Sequence, residues 1–194
     1  MSDAKPESQS QKAPTQKVVL HVGCGSYRPD ALLKNFRTPE WREIRLDINP
    51  SVKPDIVASM TDMSAVESES VDAIWNSYVL EHLWAHEVPL ALKEFHRVLR
   101  PGGHVLMRMP DLLRVAQTLL RVGPTGVAYE SSSGPITPLD MLYGHGASIA
   151  RGEHGMQHKT GFTEASLVAH LKAAGFSRVR ATSRSFDLWG LGVK

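Results

Sequence analysis

The residues best suited to chemistry in this sequence are a short glycine-containing segment and an aspartate that follows it. Gly23-Cys24-Gly25 comes directly after an apolar run at residues 18–22, and a helix is predicted soon after it. Glycines there let the backbone approach a ligand closely, and a following helix offers free N–H groups. Asp47 ends the second predicted strand, 22 residues after Gly25. A carboxylate at that spacing accepts hydrogen bonds from ribose hydroxyls, so the pair predicts a nucleoside site.

Each motif alone also has a simpler interpretation. The glycine segment can be a tight strand-to-helix turn, and Asp47 can be a solvated loop residue. The pair also fits a nicotinamide-dependent oxidoreductase. The dinucleotide fingerprint G-x-G-x-x-G, however, needs a third glycine against the pyrophosphate, and this sequence has Arg28 there. A cofactor without a pyrophosphate is therefore favoured.

A third group of residues narrows the choice further. Residues 72–83 read DAIWNSYVLEHL, and residues 95–103 read FHRVLRPGG. With the glycine segment and Asp47 in the same order, these residues resemble the class I S-adenosylmethionine-dependent methyltransferases of the type 11 group. In that family a strand ending in D-x-I is followed by L-E-H and by a helix ending in R-V-L-x-P-G-G. The resemblance covers residues 17–111 well and the C-terminal helix and hairpin loosely.

The resemblance implies that S-adenosylmethionine is the cofactor, and it implies roles for residues near the first two strands. Gly23, Cys24 and Gly25 would line the methionine part of the cofactor. Asp47 would hold the ribose hydroxyls, and Ile48 would pack on the adenine.

Three further cofactor contacts are implied later in the chain. Asp62, with Met63, matches an Asp-hydrophobic pair that contacts the adenine edge. Asn76, just past the fourth strand, would contribute backbone contacts near the methionine part. The alternatives are core packing for Ile48 and Met63 and a helix N-cap for Asp62.

Two departures from the family pattern leave a second function open. His21 stands where an acidic residue usually opens the glycine motif, and the third glycine is absent. A carboxylate there would organise the loop and favour a cationic cofactor. Despite these departures, the resemblance implies a methyltransferase acting on an unknown small-molecule or glycan-related acceptor. The alternative is a catalytically weak or inactive relative that serves as an interaction module.

Alternation of strand and helix patterns predicts an α/β protein. It is expected to be Rossmann-like and doubly wound, with a mostly parallel seven-stranded sheet and an antiparallel C-terminal hairpin. Only residues 48–54 separate strands two and three, so that crossover is a bare loop or one strand is very short. The strands are predicted at residues 18–22, 43–47, 55–58, 71–75, 104–109, 177–182 and 186–193, and the helices at residues 29–36, 86–99, 112–122 and 163–174.

The remaining segments complete the predicted domain organisation. Residues 1–17 are polar and are expected to form a disordered tail before one methyltransferase domain at residues 18–194. Residues 123–161 break the alternation and form a lid-like insertion. Its His145 and His158 are the candidate catalytic bases, whereas His82 in the L-E-H segment is expected to be structural. No metal site is expected, because His154 and His158 flank Gly155 and no cysteine lies near them.

Bulk composition excludes several classes of protein. The 194 residues suit one domain, and a net charge of +2 gives no reason to expect nucleic-acid binding. Cys24 is the only cysteine, so no internal disulfide forms, and no apolar run is long enough to span a bilayer. A cytoplasmic location is the expectation. The segment Met109-Pro110-Asp111-Leu112 looks like that of small bacterial methyltransferases associated with glycan pathways. The sequence predicts no particular oligomeric state.

Overall fold

The computed structural model describes residues 16–131 and 134–194. The tail predicted for residues 1–17 falls almost entirely on residues 1–15, which lie outside the described part of the chain. That tail, and the division into a tail and one domain, therefore stay predictions.

The main sheet has seven strands in the order β3-β2-β1-β4-β5-β9-β8. The first five run parallel, whereas β9 is antiparallel to both β5 and β8. This order, with its reversal between β1 and β4 and its C-terminal hairpin, confirms the predicted fold class. The strands are β1 (Lys17–Val22), β2 (Trp41–Asp47), β3 (Ile56–Val57), β4 (Val71–Ser77), β5 (Leu99–Pro110), β6 (Tyr129–Ser131), β7 (Gly134–Ile136), β8 (Ser177–Arg184) and β9 (Asp187–Val193).

Three of the predicted helices form close to their expected bounds. Asp111 caps one of them by accepting a hydrogen bond from the Leu113 N–H, and Thr163 caps another within a capping box. The insertion adds two short helices. The helices are α1 (Val88–Val98), α2 (Leu112–Val122), α3 (Pro138–Tyr143), α4 (Gly146–Ala150) and α5 (Glu164–Ala173).

One face of the sheet carries the larger core. Side chains such as Leu20, Ile74 and Met107 point to this face and pack against Phe95 of α1 and Leu167 of α5, all fully buried. The amphipathic pattern of α1 faces this layer, which is why its apolar residues recur at helical spacing.

The other face is covered differently from the prediction. The helix expected at residues 29–36 is wrong: only a 3₁₀ turn at Lys34–Phe36 forms there. Leu32 and Phe36 still pack against the sheet in a smaller cluster with Trp75. The Trp75 indole donates a hydrogen bond to the Ala31 carbonyl at 3.1 Å. A continued helix would need that carbonyl for its own ladder, so this bond fits an irregular segment.

Both alternatives for the short crossover between strands two and three hold. Residues 48–54 contain only a 3₁₀ turn at Pro50–Val52, and β3 has two residues. Because no helix lies in this connection, the loop can be shorter than a usual parallel crossover.

The insertion at residues 123–161 is more ordered than a loop. Its β6 and β7 pair as an antiparallel ribbon, and α3 packs against α2. Val115, Ile136 and Met141 form a small separate core there. Within residues 16–131 and 134–194, no helix combines the length and apolar character needed to cross a membrane.

Candidate active site

The sheet reverses its winding between β1 and β4, and the candidate site lies at the carboxyl ends of these strands. Val22, the last residue of β1, is directly paired with Asn76 near the end of β4. Asp47 ends the neighbouring strand β2. Ligands of open α/β sheets bind in the crevice outside the strands at such a reversal. The fold therefore brings Gly23, Asp47 and Asn76 to one place.

The glycine segment forms a tight left-handed turn that is bonded to β2. Gly23 and Gly25 have φ angles of 68° and 59°, a region that favours glycine. The Leu46 carbonyl accepts hydrogen bonds from the N–H groups of Gly23 and Cys24 at 2.8 and 3.2 Å. Gly25 N–H donates to the Asp47 carboxylate at 2.8 Å. The turn and the carboxylate are therefore one connected unit.

Both carboxylate oxygens of Asp47 accept backbone hydrogen bonds. The second oxygen receives the Asn49 N–H at 2.9 Å. Each carboxylate oxygen has a further lone pair, so the group keeps capacity to accept ligand hydroxyls while its rotamer is fixed.

Arg45 of β2 holds the end of the turn, just before the segment where a helix was predicted. Its guanidinium donates to the Gly25 carbonyl at 2.6 Å and to the Lys53 carbonyl at 2.9 Å. It also lies over the Tyr27 ring at 5.7 Å. Side chains of β2, rather than the N-terminus of a helix, therefore hold this turn.

His21, the departure from the family pattern, has a carboxylate partner. It is buried at the end of β1, and its Nδ1 lies 2.7 Å from a carboxylate oxygen of Glu43 on β2. The neighbouring strand thus supplies a negative charge next to the position where the motif lacks one.

Asn76 and Cys24 lie inward of the turn. The amide of Asn76 donates to the Val22 carbonyl at 3.3 Å, while its carbonyl oxygen is buried and has no partner among the described residues. Burial raises the pKa of the Cys24 thiol to about 11. The thiol is therefore protonated at neutral pH, and Cys24 can act here through its backbone and its bulk.

The three remaining cofactor candidates differ in exposure. Ile48 is 71% exposed, as a residue that packs on a ligand would be, whereas Met63 is fully buried in the larger core. Asp62 accepts a hydrogen bond from the Ser64 N–H at 3.1 Å. Glu94 accepts the Met63 N–H at 2.8 Å, which holds this loop on α1. The roles implied for these residues stay predictions.

A cavity of about 170 Å³ lies between the sheet and the insertion. Apolar side chains of α2 and α3, including Leu112, Val115 and Met141, form much of its wall. Glu81 and His158 supply polar groups to the same wall. The insertion therefore covers the carboxyl edge of the sheet, as a lid-like segment would.

The two predicted catalytic histidines have different surroundings. His158 lines the cavity, and its Nδ1 lies 2.9 Å from the Met141 carbonyl. Burial lowers the pKa of His158 to about 4, so the ring is neutral at pH 7. His145 contacts the Ser148 hydroxyl at 3.1 Å beside α4 and is not part of the cavity wall in the described chain. Of the two, His158 lines the cavity and His145 does not.

Glu81 is a site residue that sequence reasoning missed. It lies in the L-E-H segment, a 3₁₀ turn at Leu80–His82, and is 1% exposed. Its carbonyl accepts the N–H groups of Lys159 and Thr160 at 2.8 and 3.2 Å, which joins the insertion to this turn. Burial raises the pKa of its carboxyl group to about 8. The signal in the sequence is the glutamate of the L-E-H segment itself.

Comparison with known proteins supports the resemblance found in the sequence. Residues 20–107 match the family described as a methyltransferase domain. That segment contains the glycine turn, Asp47, the L-E-H segment and α1. The resemblance to class I S-adenosylmethionine-dependent methyltransferases of the type 11 group is confirmed.

One curated relative is also a methyltransferase. Over 101 residues the chain is 31% identical to the malonyl-[acyl-carrier protein] O-methyltransferase of Dechloromonas aromatica, covering 49% of this chain and 36% of that protein. The chain thus spans about a third of the length of this curated relative.

Solved structures show the same fold. An S-adenosylmethionine-dependent methyltransferase from Mesorhizobium loti has a TM-score of 0.60 at 13% identity, covering 92% of this chain and 91% of that one. The 1,6-didemethyltoxoflavin-N1-methyltransferase of Burkholderia thailandensis, solved with S-adenosylhomocysteine, has a TM-score of 0.56 at 16% identity, covering 92% and 71%.

Proposed function

We propose that this chain, whose residues 20–107 form a methyltransferase domain, transfers the methyl group of S-adenosylmethionine to a small-molecule acceptor. The observation that carries the proposal is the bond from Gly25 N–H to the Asp47 carboxylate, at 2.8 Å, where the sheet reverses its winding. It joins the two motifs that a nucleoside-containing cofactor needs.

The residues at the carboxyl ends of β1, β2 and β4 fit this cofactor. Asp47 would accept the ribose hydroxyls with its remaining lone pairs, and the exposed Ile48 would pack on the adenine. The unpartnered Asn76 carbonyl oxygen and the open turn from Gly23 to Gly25 would meet the methionine part. The cofactor supplies an activated methyl group on a sulfonium; the protein aligns the acceptor and excludes water.

The acceptor would enter the cavity under the insertion. At about 170 Å³ this space is smaller than a typical ligand pocket of roughly 300–1,000 Å³, so it suits the reacting end of an acceptor. Leu112 and Met141 would exclude water from it. The lone pair on His158 Nε2 would face the acceptor if Nδ1–H donates to the Met141 carbonyl.

The class of acceptor is a finer proposal. The similar protein from Dechloromonas aromatica acts on a malonyl-[acyl-carrier protein], and the structural relative from Burkholderia thailandensis on 1,6-didemethyltoxoflavin. A glycan-related acceptor rests only on the resemblance at residues 109–112. A cytoplasmic location also stays a prediction.

Calorimetric titration with S-adenosylhomocysteine tests the cofactor site. Asp47→Asn should weaken binding by about 10–100-fold, because hydrogen bonds to a charged group contribute roughly 1.5–3 kcal/mol. Glu40→Gln is the matched control: it also removes one charge, but Glu40 is exposed and precedes β2 at the opposite edge of the sheet. Its affinity should stay unchanged.

Absence of binding by the folded protein would instead favour the interaction-module alternative. Equal affinities for Asp47→Asn and the unaltered chain would contradict the placement of the cofactor. Preference for a nicotinamide cofactor would return the oxidoreductase hypothesis.

A further inference from the structure

Three side chains that can bind a metal converge beside the cavity. They are Glu81 and His82 of the 3₁₀ turn after β4 and His158 at the end of the insertion. One ligand atom from each lies within 4.8 Å of the other two. The prediction of no metal site considered only histidines of the insertion, which lie far from Glu81 in sequence.

The carboxyl group of Glu81 is the strongest sign of a missing partner. It is fully buried, and neither of its oxygens has a hydrogen-bond partner within residues 16–131 and 134–194. A buried carboxyl group without a partner is costly in either protonation state, and such groups in native structures usually meet an ion, a water or a ligand.

The two imidazoles are oriented by backbone carbonyls, as the histidine ligands of metals are. Nδ1 of His158 faces the Met141 carbonyl at 2.9 Å, which leaves Nε2 as the free lone pair. His82 has Nδ1 3.0 Å from the Gln157 carbonyl and Nε2 3.2 Å from the Tyr78 carbonyl. A neutral ring carries one N–H, so its other nitrogen presents a lone pair to an oxygen. To bind an ion, the His82 ring must turn so that one of these nitrogens leaves its carbonyl partner.

We propose that Glu81, His82 and His158 bind a divalent first-row transition-metal ion such as Zn²⁺. Two imidazoles and one carboxylate are a donor set that zinc and iron(II) sites use. Metal–ligand distances near 2.1 Å would require side-chain movements on the order of 1 Å.

The position of the ion follows from the two ligands that line the cavity. Glu81 and His158 both form part of its wall, so the open coordination positions face the bound molecule. If the proposed methyl transfer is correct, an acceptor hydroxyl on the ion loses its proton more readily. His158 then acts as a ligand rather than as a free base. The ion site itself does not depend on that reaction.

Metal titration of the full chain after chelator treatment tests the proposal. We expect Co²⁺ to give visible absorption that saturates at one ion per chain, and Zn²⁺ to displace it. Glu81→Gln and His158→Ala should each weaken binding by about tenfold or more. His154→Ala is the matched control, because His154 is an exposed histidine of the same insertion. Its affinity should stay unchanged.

A parallel titration with S-adenosylhomocysteine separates the possible failures. Protein that binds this ligand but takes up no metal overturns the metal site. Metal uptake that survives both substitutions overturns it as well. Metal uptake without S-adenosylhomocysteine binding leaves the ion site standing and removes the proposed function. Thermal denaturation identifies any variant that fails to fold, and the other variant then carries the test.

Discussion

Replacing Gly23 with alanine should destabilise the protein more than the same replacement at Gly25, although both residues have a positive φ. An added Cβ at Gly23 would lie 2.4 Å from both methyl carbons of Val79, whereas at Gly25 it would meet nothing within 4 Å. The two substitutions therefore share the backbone strain and differ in the steric conflict.

The magnitudes follow from these two contributions. Alanine in the left-handed region costs roughly 1–2 kcal/mol, which is the whole expected loss for Gly25→Ala. Overpacking against Val79 adds roughly 1–3 kcal/mol, so Gly23→Ala should lower the free energy of unfolding by about 2–5 kcal/mol. The loss of flexibility in the unfolded chain is the same for both and cancels in the comparison.

Urea denaturation followed by circular dichroism measures both free energies of unfolding. Each kcal/mol of unfolding free energy that Gly23→Ala loses beyond Gly25→Ala should lower the melting temperature by about 2–4 °C more in a chain of this length. Val79→Ala removes the two methyl carbons but keeps the Val79 Cβ, which would lie 2.9 Å from the added atom, so the double variant with Gly23→Ala should recover part of the excess. The control double variant, Gly25→Ala with Val79→Ala, should show additive losses.

Two results would refute this reasoning. Equal losses for Gly23→Ala and Gly25→Ala would mean that Val79 does not lie against the turn. A loss at Gly23 that Val79→Ala does not relieve would mean that backbone strain, rather than the side-chain contact, sets the cost.

Two further predictions concern titratable groups. Because burial raises the pKa of the Cys24 thiol to about 11, Ellman's reagent at pH 8 should label the folded protein on the order of a hundredfold more slowly than the urea-unfolded chain; equal rates would contradict it. The hydrogen bond from Arg97 lowers the pKa of Glu94, so its contribution is present above the unfolded pKa near 4.5 and is lost as pH falls through the lower folded pKa. Glu94→Gln should therefore cost about 1 kcal/mol at pH 7 and progressively less as the pH falls below the unfolded pKa, and a loss independent of pH would refute this explanation.

Local sequence patterns determined most of the sheet and the cofactor end of the site. The continuous apolar run that ends at Gly23 marked β1 as a buried parallel strand. In β2, by contrast, charged residues interrupt the apolar ones up to Asp47. Parallel strands place their carboxyl ends at one edge, so these motifs had to meet there. The Thr163 cap and the apolar spacing of α1 likewise act within a few residues and were readable.

The segment after the glycine turn was decided by tertiary contacts. Leu32 and Phe36 are spaced as a helix would space them, and both are buried against the sheet. The Trp75 indole takes the Ala31 carbonyl, and Arg45 takes the Gly25 carbonyl. Hydrogen bonds from side chains of distant strands stand in place of the backbone hydrogen bonds of a helix. The helix propensity of the segment's own residues carries no information about those distant partners.

The cavity proposed for the acceptor could not be predicted from the sequence for the same reason. Glu81 and His158 meet because backbone N–H groups of Lys159 and Thr160 bond to the Glu81 carbonyl. His145, equally plausible as a residue type, lies instead against Ser148 beside α4. Residue type and local pattern determined the strands, the glycine turn and Asp47. The path of the chain between residues 123 and 161 decided which histidine reaches the buried glutamate, because contacts between distant residues depend on packing that no local pattern encodes.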